Sequence, residues 1–169
     1  MNKKNLMIVV TLSFLILAGA IGVVAGDLEA ELAQVRRATA RFHQVQAAQA
    51  AGHHLVPGID HCWEEPGVGG MGYHYIDTSR VDTEVNALEP ETLVYAPGPN
   101  GQLQLGAVEY VVNAPAWDAE GHGELPTVLG QSLHYSALTD KYILHVWIWR
   151  HNPAGMFEDW NPTVTCPES

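Results

Sequence analysis

Positive charge is scarce in this chain. Only 8 Lys and Arg stand against 19 Asp and Glu in 169 residues, for a formal net charge of −11. Lys3 and Lys4 take up two of those cations, leaving six basic residues after residue 26. Six dispersed cations cannot build the basic footprint that a phosphate backbone requires, so no nucleic-acid partner is expected. Cysteine is nearly absent: Cys62 and Cys166 are the only two, with no Cys-x-x-Cys. That excludes cysteine-rich zinc modules and thioredoxin-like redox chemistry. His-Glu-x-x-His, phosphate-loop and calcium-loop signatures are also missing. Gly67-Val-Gly69-Gly-Met-Gly72 matches the dinucleotide pattern, but a Pro-rich loop precedes it and alternating Tyr73-His74-Tyr75 follows. The pattern needs a strand before it and a helix after it, so it is set aside. Gly130-Gln-Ser132-Leu-His134 lacks the closing glycine of a nucleophile elbow. Asn161 precedes Pro162 and is no glycosylation acceptor. No residue is assigned as catalytic, and whether the chain is an enzyme stays open.

The content that remains is that of a folded domain. Apolar residues make up 47% and charged residues 16%, which excludes disorder for most of the chain and suffices for one core. Lys3 and Lys4 precede an uncharged run from Asn5 to Gly26 that ends in the small residues of Val23 to Gly26. Residues 1–26 therefore read as a signal peptide, or as an N-terminal membrane anchor if the segment is not cleaved. Either way the single domain over residues 27–169 is expected outside the cytoplasm, secreted or anchored. Membrane contact is expected only through an uncleaved N-terminal segment. In an oxidising compartment the even pair Cys62 and Cys166 reads as a disulfide that ties the terminal tail over the sheet.

Leu28, Leu32, Val35, Ala38, Phe42 and Val45 recur at helical spacing, which predicts one amphipathic helix from Asp27 to near Gly52. Residues 53–72 and 114–131 read as loops. Alternating or β-rich runs predict strands over 71–76, 91–96, 102–113, 133–137 and 142–151, with hairpins at Asn100-Gly101 and around Thr139-Asp140-Lys141. The fold expected is α+β: the N-terminal helix packed on a curved, mainly antiparallel sheet of about five strands, cystatin-like in outline. The alternative is a β-rich sandwich with an accessory helix.

Nine histidines are present, and they carry the functional reading. Parity places Ile143, His145, Trp147, Trp149 and His151 on one strand face, opposite Tyr142, Leu144, Val146 and Ile148. On the same basis His74 faces away from Met71, Tyr73 and Tyr75. Glu109 interrupts an apolar run, and a half-buried carboxylate there wants a cationic or metallic partner. His74, Glu109 and His145, with His134 as substitute, form the candidate metal site. Imidazole and carboxylate suit Zn, Cu, Fe or Ni; Zn or Cu is the expected cofactor, with Met71 and Met156 as soft ligands favouring Cu. If the site is catalytic, Glu109 or Glu124 is its acid–base group. Trp147, Trp149 and Tyr73 are the candidates for lining a small-ligand pocket. His53, His54, His61 and His122 are expected in solvated loops. The competing readings are a structural or interaction module whose histidines merely pack, and a metal-dependent enzyme.

Gly70-Met-Gly-Tyr-His-Tyr75, Leu93-Val-Tyr95, Val108-Glu-Tyr110, the run from His145 to Phe157 and the terminal Asn161 to Cys166 add a further indication. Together they resemble a family of uncharacterised exported prokaryotic single-domain proteins. The resemblance spans nearly all of residues 27–169. It implies a single-domain exported protein and carries no activity, substrate or cofactor. His74, Glu109, His145, Trp147, Trp149, Asn152 and Gly155 fall on its motifs.

Overall fold

A computed structural model describes residues 17–167. The leader or anchor expected over residues 1–26 thus falls mostly outside the described residues. From Leu17 the first helix, α1 (Leu17–Thr39), runs unbroken through Ala25 and Gly26. Among the described residues no helix is long and apolar enough to cross a membrane.

The single helix expected to reach Gly52 is broken. After α1 come a 3₁₀ turn over Ala40–His43, an extended Gln44 (φ −95°, ψ 122°) and a short helix, α2 (Val45–Ala50). Tertiary contacts compete for the backbone at the break. The Tyr95 hydroxyl donates to the Phe42 carbonyl, which a continuous helix would have used internally. Leu32, Val35, Phe42 and Ala48 are buried, so the predicted stripe still faces the sheet.

Six strands form the main antiparallel sheet: β1 (Trp63–Glu65), β2 (Gly69–Ile76), β3 (Thr92–Pro97), β4 (Leu103–Asn113), β7 (His134–Ser136) and β8 (Lys141–Val146). Their spatial order is β1-β2-β3-β4-β8-β7. The sheet is curled and carries the helix on one face, which makes an α+β fold. The five expected strands are all present, and β1 is the addition. Tyr75, Leu93, Tyr95, Val108, Tyr110, Leu144 and Val146 pack against α1 in the main core. The opposite face holds a smaller buried cluster of Val94, Ala96, Ala107, Trp147 and Val164.

Three local expectations need correction. Residues 114–131 are not all loop: they contain α3 (Ala114–Glu120) and a hairpin of β5 (Thr127–Val128) and β6 (Gln131–Ser132). The Asn113 side chain caps α3 by accepting from the Ala116 amide, and Gly121 ends it in a left-handed conformation. The last strand stops at Val146, five residues before its expected end at His151. There the amides of both Trp149 and Arg150 donate to the Gly106 carbonyl, so the alternation that placed Trp149 beside His145 is lost. Within β2, Gly72 has φ +107°, and the register with β1 shifts at the same point. A Cβ on Gly72 would stand 2.5 Å from the Tyr95 carbonyl oxygen, so only glycine fits.

Cys62 and Cys166 form the expected disulfide, with Cα atoms 5.7 Å apart and a sequence separation of 104. The tail it secures also pairs with β2 through two backbone hydrogen bonds between Gly70 and Asn161. A disulfide of this kind fits an oxidising, extracytoplasmic setting.

Candidate metal centre

On the sheet face opposite α1, three strands of the sheet each contribute one polar side chain. His74 comes from β2, Glu109 from the middle of β4, and His145 from β8, where it pairs directly with Glu109. All three are buried. The Nε2 atoms of His74 and His145 lie 3.1 Å apart. Glu109 places Oε2 3.9 Å from His74 Nε2 and Oε1 3.7 Å from His145 Nε2. Donors bound at about 2.0–2.2 Å to one tetrahedral ion sit roughly 3.4 Å from each other. The observed separations bracket that spacing, so the group can hold a metal ion.

A second carboxylate completes the arrangement. Asp159 Oδ1 stands 3.1 Å from His145 Nδ1, and its Oδ2 stands 3.0 Å from His134 Nε2. An imidazole that donates Nδ1–H to a carboxylate turns its Nε2 toward the opposite side, here toward His74 and Glu109. This carboxylate–histidine pairing is what orients metal-ligating histidines. The loop bearing Asp159 is gripped on both sides. Trp147 Nε1 donates to the Glu158 carbonyl at 2.7 Å, and Asn152 Nδ2 donates to the Trp160 carbonyl at 3.0 Å. Trp147 therefore serves the site by holding Asp159 rather than by touching a ligand.

The electrostatics favour neutral His74. Burial, reinforced by the charge of His145, pushes His74 down to about 3. His145 moves the other way: burial opposes its charge, but Glu109 and Asp159 outweigh it and raise the imidazole. Burial raises Glu109, with the nearby Asp159 charge adding and His145 opposing. Asp159 resists its own desolvation because His145 and His134 pull it below the usual carboxylate range. In the His74–His145 contact one Nε2 donates and the other accepts, while His145 Nδ1 faces the Asp159 carboxylate. The second His74 nitrogen, Nδ1, is buried without a partner.

A cavity of about 790 Å³ opens over the three side chains. Met71, Ile76, Val111 and Ile143 line it from the same strands, and Trp63 and Trp160 from other segments. Met71 reaches it because the Gly72 irregularity turns it to the His74 side, contrary to simple alternation. Met156 packs against the helix-side core.

Other candidates sit elsewhere. His134 is exposed and reaches the group only through Asp159. Trp149 lies on the helix side, where its Nε1 donates to Thr39 Oγ1 and His43 meets its ring edge. Tyr73 packs against the main core. None of Trp147, Trp149 and Tyr73 lines the cavity, whose indoles are Trp63 and Trp160. Glu124 is exposed and offers its backbone carbonyl to Trp117 Nε1. His53 is buried, not solvated, with Nε2 3.3 Å from the Pro90 carbonyl; His54, His61 and His122 are exposed. Asp159 lies in an irregular segment, where no periodicity marks it in the sequence. The disulfide that ties down the tail was the one signal pointing to it. No protein family, curated protein or solved structure matches this chain.

Proposed function

We propose that this chain is an exported single-domain protein that binds one transition-metal ion through His74, Glu109 and His145 and presents it to the adjoining cavity. The observation carrying this reading is the convergence of two imidazole Nε2 atoms and a carboxylate, all buried and drawn from separate strands. Two neutral imidazoles and one carboxylate form a ligand set used by zinc in sites that keep a coordination position open. Two imidazoles and a carboxylate, with both cysteines held in the disulfide, suit zinc better than copper(I). Asp159 supplies the outer carboxylate that such histidines commonly use. The Cys62–Cys166 disulfide supports export, as does the apolar N-terminal run. Membership of the exported prokaryotic family that its motifs resemble is part of the same proposal.

The test uses tag-free protein, stripped with chelator and titrated with zinc. One zinc per chain is expected, with binding lost or weakened by at least about tenfold in His74→Ala and Glu109→Gln. Absence of zinc and copper uptake by the folded wild-type protein would instead leave a buried, hydrogen-bonded histidine pair with a structural role.

A further inference from the structure

The walls of the cavity differ sharply from its floor. At the floor stand His74, Glu109 and His145. One layer outward along β4 and β8, the directly paired residues are Val111 and Ile143; one layer further they are Asn113 and Lys141. At about 3.3 Å per strand residue, the distance from the Glu109–His145 pair to the Asn113–Lys141 pair is roughly 13 Å. Ile76, Met71, Trp63 and Trp160 extend the apolar lining around the strands. Leu138, also lining this space, is 69% exposed, so an apolar side chain is left in water at the rim. A volume of about 790 Å³ lies within the range of small-molecule sites.

From this we infer that the cavity takes a small molecule with an aliphatic or aromatic body and a single oxygen donor, the donor completing the coordination of the metal and the body lying against Val111, Ile143 and the two indoles. The inference rests on the metal-binding reading and specifies its ligand. Three protein donors leave a position open. A divalent ion held by one carboxylate and two neutral imidazoles keeps a net positive charge, which favours an anionic oxygen. Past the metal the near walls offer apolar contact, so recognition of the remainder depends on surface removed from water.

The experiment is calorimetric titration of the full tag-free chain, zinc-loaded and metal-free, with acetate and with octanoate. Zinc-loaded protein is expected to bind octanoate about a hundredfold more tightly than acetate, as several buried methylenes dictate. Metal-free protein should lose most of the octanoate affinity. Val111→Asn should reduce the preference for octanoate while zinc still binds one per chain, which shows that the variant is folded. Zinc binding with equal affinity for the two acids would overturn the inference and leave the metal reading intact. Equal octanoate binding with and without zinc would overturn the coordination by oxygen. Failure of zinc to bind at all would remove the metal reading, and this inference with it.

Discussion

Removing the disulfide by the paired substitutions Cys62→Ser and Cys166→Ser tests how the tail is held. The bond closes a span of 104 residues. In the loop-entropy model such a closure lowers the freedom of the unfolded chain by the equivalent of about 4–5 kcal/mol. In the folded protein the tail keeps other anchors. Gly70 and Asn161 exchange two backbone hydrogen bonds, Val164 is buried, and Asn161 Nδ2 donates to the His151 carbonyl at 3.1 Å. The loss should therefore arise mainly in the unfolded ensemble, with the native tail still docked. Guanidinium unfolding of the double variant is expected to show a stability loss approaching 4 kcal/mol, and thermal unfolding a midpoint lower by about 10–20 °C. Its near-ultraviolet circular dichroism should match the wild type, since Trp147 and Trp160 remain packed. A loss below about 1 kcal/mol would refute the loop-entropy account. A large loss accompanied by a changed native spectrum would show that the bond holds the folded tail itself.

Further outcomes follow from the same geometry. Glu91 is buried and accepts from the Val111 amide, and burial, with Asp82 and Glu109 nearby, raises it from 4.5 to about 7. Because the folded state holds this proton more tightly, its stability contribution is full below the unfolded value and is lost as pH rises toward the folded one. Glu91→Gln should flatten that decline, on the order of 3 kcal/mol, in urea unfolding between these limits; an unchanged slope would place the titration elsewhere. Asp159→Asn should weaken zinc binding by about 10–100-fold in competition with a chromophoric chelator, and an unchanged affinity would show that Asp159 does not orient His145. Gly72→Ala should cost about 2–4 kcal/mol in denaturant unfolding, because it combines a left-handed φ with a collision against backbone. Gly58→Ala, also left-handed but with nothing within 4 Å, should cost only about 1–2 kcal/mol; equal losses would dismiss the collision.

Period-two alternation made the centre of this fold legible. Parity set His74, Glu109 and His145 each against its own strand neighbours, because the pleat fixes the side-chain period. That their three faces coincide follows only from the pairing of β2, β3, β4 and β8. The same rule misled wherever the ladder breaks. Gly72 carries the irregularity that brings Met71 round to the His74 side. Gly106 draws the amides after Val146 out of register, sending Trp149 to the helix side and leaving Trp147 beside the Asp159 loop. The break in the helix came from a long-range claim on the Phe42 carbonyl by Tyr95, which local periodicity does not encode. By contrast, α3 was readable. Asn113, Pro115 and Gly121 are a cap, an N-terminal proline and a left-handed stop, although the glycines and prolines around them resemble loop punctuation. The cavity's own indoles, Trp63 and Trp160, lie next to Cys62 and within the tail. Only the tertiary path of the chain brings them to the sheet.

Zinc-edge anomalous diffraction from crystals of the tag-free protein grown with zinc addresses the metal site most directly. A single strong peak is predicted between His74, Glu109 and His145, about 2.0–2.2 Å from both Nε2 atoms and from a Glu109 oxygen, with Asp159 still on His145 Nδ1. No peak at that position, with the two imidazoles still hydrogen-bonded to each other, would contradict the metal site.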